Sequence, residues 1–142
     1  AVGWRRPLLT SVGGIALLID MDEAERSRLV SRNVETLERA GKHHRIGPLR
    51  RMLERSLQEG YASNLEEAAN GVHSFATTVR DKTGRPVASI SIADVSHSLP
   101  AEHADLFVRL MRDEAVVLEA EAVPLLDLAG GLQDRSFGEQ VQ

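Results

Sequence analysis

Two runs of alternating side chains stand out in the middle of the chain: VHSFATTVR (72–80) and PVASISIADV (86–95), joined by the polar stretch DKTGR. Alternation with a period of two puts neighbouring side chains on opposite faces of a strand. The pair reads as an antiparallel hairpin with its turn at Lys82–Thr83, so that Ser74 faces Ser91, Phe75 faces Ile90 and Val72 faces Ala93. One face then carries Phe75, Val79, Ile90 and Ile92, and the other Val72, Ser74, Ala76, Ser89, Ser91 and Ala93.

Elsewhere the apolar period is helical. Residues 4–10 (WRRPLLT) read as extended, because Pro7 disfavours helix. Ser11 is placed to cap a short apolar helix entered through Gly13 and Gly14. Asp22 opens a second helix, with Glu25 three residues on; Val30, Val34 and Leu37 form its stripe and Gly41 ends it. KHHRIGP reads as a loop, and Pro48 as the start of a third helix carrying Leu49, Met52, Leu53 and Leu57, with Gly60 as its stop. Tyr61–Ser63 is a short strand candidate and NLEEAANG a loop or helical turn. Pro100 suits the first turn of a last helix whose inner face is Ala104, Phe107, Met111, Ala115, Leu118, Ala122 and Leu125, kinked or ended by Pro124. The folded domain is expected to span residues 1–131, with a frayed tail over 132–142.

Composition narrows this little. With 42% hydrophobic and 27% charged residues in 142, the chain has the make-up of one globular domain. A net charge of −4 gives no global attraction to nucleic acid or anionic lipid. The absence of cysteine excludes disulfides and thiolate chemistry and fits a cytoplasmic protein. The apolar run Val12–Ile19 is too short to span a bilayer. Ala1 is not an initiator methionine, as in a fragment or a processed product. The basic cluster Arg39, Lys42, Arg45, Arg50, Arg51 and Arg55 is either an anion patch or the solvated face of a helix that also carries Glu38, Glu54 and Glu59.

The small face of the hairpin raises the functional question. It either faces water, as hydroxyl-rich strand faces do, or floors a cavity in which small side chains leave room and hydroxyls supply fixed hydrogen bonds. The glycine-led helix start adds backbone N–H groups that attract anions and that a ligand can approach closely. Its spacing matches neither a dinucleotide fingerprint nor a P-loop.

GWRRPLLTSVGGIALL resembles the Gly-x-Arg-x-Pro-Leu…Gly-x-Ala-Leu-Leu segment of the IclR family of bacterial transcriptional regulators. LQEGYASNLEEAANGVHSFATTVRDKTGRPVASISIA is similar to that family's later signature, with Gly-Tyr-Ala, an acidic pair and a hairpin ending in a Ser-x-Ser-like element. The resemblance runs from about Gly3 to the last helix and covers the effector-binding domain without its front part. It implies an α/β (α+β) domain, GAF-like or profilin-like, in which helices flank an antiparallel sheet and a small molecule binds over one face. It also implies self-association as dimer or tetramer, no cofactor, no membrane partner, and DNA contact only through a separate winged helix-turn-helix domain that nothing in these residues matches.

Carried over position by position, the resemblance assigns effector binding to Ser11, Val12 and Gly13 in the loop before the first helix, to Asn64 where Asp is usual, to Val72 and Ser74 on one strand, and to Ser91 and Ala93 on the other, Ala93 replacing a serine. Asn64 removes a negative charge and Ala93 a hydroxyl, which points to a small carboxylate or aromatic acid as effector. The rival reading is a structural oligomerisation module whose pocket its own side chains fill.

Nothing in the chain points to catalysis. His73 and Ser74 are strand neighbours on opposite faces, no G-x-S-x-G elbow occurs, and the other histidines lack metal-pair spacing. Asp20 and Asp22 read as helix caps.

Overall fold

The computed structural model describes residues 3, 5–65, 67, 70–122 and 124–125; the expected boundary at 131 and the tail beyond it lie outside them. Among the described residues an antiparallel sheet of three strands, in the order β1 (Ala62–Leu65), β2 (Val72–Arg80) and β3 (Pro86–Val95), lies between two sets of helices. Helices α1 (Val12–Ile19), α2 (Glu23–Arg39) and α3 (His43–Glu59) gather on one side, and α4 (Ala104–Glu121) packs on the other.

The hairpin begins and ends where the alternation predicts, but its register differs. Ser74 pairs with Ala93, Phe75 with Ile92, Ala76 with Ser91 and Val72 with Val95. The turn is longer than the two residues expected. The Asp81 N–H donates to the Arg85 carbonyl (2.9 Å), and Asp81 Oδ1 accepts from the N–H groups of Thr83 and Arg85. Gly84, at φ +82°, makes the reversal. A bulge between Val79 and Arg80 absorbs the extra residue. The slip is of even length, so each side chain keeps its predicted face.

The large face carries Phe75, Ile90 and Ile92, which pack on Ala104, Val108, Met111 and Phe107 of α4; Val79 and Ala88 meet Ala115 and Leu118. On the small face Ala62 and Ala76 join the core of Leu9, Ile15, Leu18, Leu49, Met52 and Leu53. Each fully buried side chain of this size contributes about 1.5–3 kcal/mol.

Several boundaries depart from expectation. Leu8–Thr10 is a 3-10 turn rather than extended chain, with Pro7 at its N-cap, where a missing N–H costs nothing. The first helix starts at Val12 and so includes both glycines. α3 begins at His43, five residues before Pro48; one lost intrahelical bond near an exposed helix start is tolerated. Ser56, not Leu57, completes its buried stripe with Leu49, Met52 and Leu53, following the i, i+3, i+4, i+7 pattern. The strand after Gly60 is Ala62–Leu65. Val108 of α4 is buried, and Leu125, beyond the end of α4 at Glu121, is exposed.

The glycines of α1 set how closely it approaches the rest. A Cβ on Gly14 would lie 2.0 Å from the Leu8 carbonyl oxygen, a fixed backbone atom. One on Gly13 would lie 2.7 Å from Ser89 Oγ, which can rotate away. Gly14→Ala should therefore lower stability by about 3 kcal/mol, the upper end for overpacked sites. Gly13→Ala should be near neutral, since alanine's helix preference of about 1 kcal/mol offsets the contact. Urea unfolding of the two variants checks this, and equal midpoints would contradict it.

Candidate functional site

Cap chemistry fixes the start of α1. Ser11 Oγ accepts from the Gly14 N–H at 3.1 Å, and the Ser11 carbonyl accepts from Ile15 at 2.9 Å. The amides of Val12 and Gly13 precede the first intrahelical bond and are not used by the cap. Gly13 sits against Ser89 on β3, whereas Asp20 at the other end of α1 reaches Thr78 on β2, so the helix crosses the sheet on its small face.

The assigned sheet residues share that face. Asn64, Ser74 and Ala93 form one cross-strand row, with Asn64 paired to Ser74 and Ser74 to Ala93. Ser91 lies in the adjoining row, opposite Ala76. Val72, paired with Val95, closes the same face at the end of the strand. Asn64 and Ser74 are each 5% exposed, and Ser91 and Ala93 are exposed. The two serines are therefore diagonal neighbours and not opposite partners, and the floor is covered over β1 and β2 but open along β3. Among the described residues β3 pairs on one edge only, and Ser91, Ala93, Val87 and Val95 are exposed.

His73 turns to the other face, where its Nδ1 meets the Leu99 carbonyl at 2.8 Å, so it does not approach Ser74 as a base. Asp22 caps α2 through the Glu25 N–H (2.8 Å) as expected, but Asp20 does something else. It pairs with Arg80 at 2.7 Å and accepts from the Thr78 hydroxyl, tying α1 to β2. Of the basic cluster, Arg39 pairs with Glu35 on an exposed helix face, and Arg50 and Arg51 are exposed.

Arg55 is the exception. Its guanidinium donates to Ser63 Oγ (3.1 Å) and to the Ser63 carbonyl (2.9 Å), and it pairs with Glu67. Glu67 in turn accepts from the Leu65 N–H at 2.7 Å. The Ser63 N–H donates to buried Ser56 Oγ at 3.1 Å. These bonds clamp both sides of Asn64 and hold β1 against α3. No local sequence signal separates Arg55 from its exposed neighbours; only the fold brings Glu67 to it.

These features describe an α+β fold: a hydroxyl-bearing sheet face beneath a glycine-led helix, with one long helix behind the sheet. Residues 1–119 match the family model described as "Bacterial transcriptional regulator IclR C-terminal", and the chain belongs to that family. Solved structures agree. An IclR-family transcriptional regulator from Brucella abortus is 25% identical over 82% of this chain, with a TM-score of 0.63, and this chain covers 44% of its length. The C-terminal domain of the E. coli transcriptional regulator KdgR is 22% identical over 83% of this chain, which covers 72% of that domain, at a TM-score of 0.60. A double mutant of the inducer-binding domain of the Acinetobacter transcription factor PobR, in complex with 3-hydroxybenzoic acid, is 18% identical over 84% of this chain and 69% of its own, at 0.58. Among curated proteins none matches. No described helix is long and apolar enough to cross a membrane.

Burial alone would raise the Glu67 carboxyl, but the hydrogen bonds from Arg55, its own backbone and Leu65 outweigh this and hold it below its ordinary value of 4.5. Its contribution to stability is then full above that value and is lost as pH falls through the lowered folded-state value. Urea midpoints measured between pH 6 and pH 3 should fall more steeply in the wild type than in Glu67→Gln; parallel curves would contradict this role.

Proposed function

We propose that this chain is the small-molecule sensing domain of an IclR-type regulator, and that its effector lies on the small face of the sheet against Asn64, Val72, Ser74, Ser91 and Ala93, with Ser11, Val12 and Gly13 at one end. The observation that carries this reading is the shared face. The assigned residues of all three strands lie on one face of the sheet, and the start of α1 meets that face at Ser89. Ser91 and Ala93 are exposed, so a ligand can reach the face along β3.

The chemistry favours a small carboxylate, aromatic or short-chain. The face carries hydroxyls and an amide and no acidic side chain at these positions, and the free amides at the start of α1 offer donors to an anion. The PobR inducer-binding domain, of the same fold, holds a hydroxybenzoic acid. Effector binding would then alter DNA binding by a separate winged helix-turn-helix domain, in the cytoplasm, within a dimer or tetramer. No catalytic step is part of this reading.

Calorimetry with 3-hydroxybenzoate and a panel of short-chain and aromatic carboxylates tests it. At least one acid should bind the wild type and bind Ser74→Ala and Ser91→Ala about tenfold more weakly, the effect of one lost hydrogen bond to a charged group. Binding unchanged in both variants, or no binding by any acid, would overturn the assignment.

A further inference from the structure

A second cavity lies at the other end of β2. Pairing with β1 stops at Ala62–Ala76, so β2 continues from Thr77 to Arg80 with no described strand on that edge. A cavity of about 330 Å³ opens there, between the end of α1 and the middle of α4. That is within the usual range for small-molecule sites. Its inner wall is made by Ala16, Ala76 and Ala115, all buried and each from a different element.

Four charged side chains line it: Asp20, Arg80, Arg112 and Glu119. Much of their bonding capacity is already used. Arg80 donates to Asp20 Oδ2 at 2.7 Å and to the Gly84 carbonyl at 3.0 Å, and its backbone N–H donates to Glu119 Oε1 at 3.0 Å. What remains among the described residues is specific. Asp20 Oδ1 and Glu119 Oε2 accept no bond, and Arg112 spends one N–H on the Gly60 carbonyl at 3.1 Å and keeps its other donors. The lining charges balance, so a lone anion or a lone cation would satisfy one side and leave the other without its counter-charge.

We propose that this cavity is a second ligand site, separate from the small-face site, and that it takes a compact zwitterion: an α-amino acid with a short apolar side chain. The carboxylate meets Arg112, the ammonium group meets the free oxygens of Asp20 and Glu119, and the side chain lies on the alanine wall. The site is distinct in consequence as well as in place. Asp20 caps the end of α1, whose start belongs to the proposed effector site, and Glu119 belongs to α4, so an amino acid here bridges helices on opposite faces of the sheet.

NMR titration and calorimetry on the full chain, using L-leucine and L-valine beside 4-methylpentanoate and 3-methylbutylamine, separate the alternatives. One of the two amino acids should bind; leucine's deaminated and decarboxylated analogues should bind at least tenfold more weakly than leucine or not at all. Arg112→Gln, at an exposed position, should weaken amino-acid binding about tenfold or more. Glu119→Gln, which retains an oxygen for the Arg80 N–H, should also weaken it. Ser91→Ala should leave it intact, which separates this site from the small-face site. No binding of either amino acid at about 20 mM to folded protein, an analogue binding as tightly as leucine, or full binding by Arg112→Gln would overturn the proposal.

Discussion

The approach of α1 to the 3-10 turn and the sheet is the constraint on which the rest depends. Gly14 lies against the Leu8 backbone and Gly13 against Ser89, at separations that leave no room for a Cβ on Gly14. This lets a short apolar helix lie close to a strand face built from Ala and Ser. Ile15, Ala16 and Leu18 then reach the core shared with α2 and α3, and the amides at the start of α1 come near the hydroxyl face. A larger residue at Gly14 would lift the helix and separate the two halves of the proposed site.

The sheet thus serves two different cores. Its large face is closed by α4 through Phe75, Met111 and their neighbours, a dry contact that requires volume. Its small face is covered only in part, by α1 and α3, and is open along β3. Charged clamps fix the borders of the covered part: Arg55 with Glu67 holds β1 to α3, and Asp20 with Arg80 holds the end of α1 to β2. Both pairs are partly buried, where the effective dielectric is lower than in water and truncating one partner leaves the other uncompensated.

Much of this was legible in the sequence, where local chemistry decides. Alternation located both hairpin strands and assigned every side chain to its face; Ser11, Asp22 and Gly60 marked helix ends through capping. The exact register was not legible, because Asp81 organises a longer turn and the bulge at Val79–Arg80 absorbs the difference. The start of α3 was hidden by Pro48, which reads as a first-turn residue and sits inside the helix. Least legible were the clamps. Asp20 meets Thr78 and Arg80 across 58 and 60 residues, and no local pattern distinguishes an aspartate that caps from one that pairs. The family resemblance supplied the candidate site residues, and the structure shows that those on the strands share one face and that the start of α1 meets the same face at Ser89.

In the proposed function the glycine-led start of α1 and the hydroxyl face of the sheet act together on one bound acid. A ¹⁵N-resolved NMR titration with the tightest-binding carboxylate tests it most directly. The largest amide shifts should fall on residues 11–14 and, in the same titration, on Asn64, Ser74 and Ser91. Shifts confined to one of those two groups, or centred on α4, would contradict it.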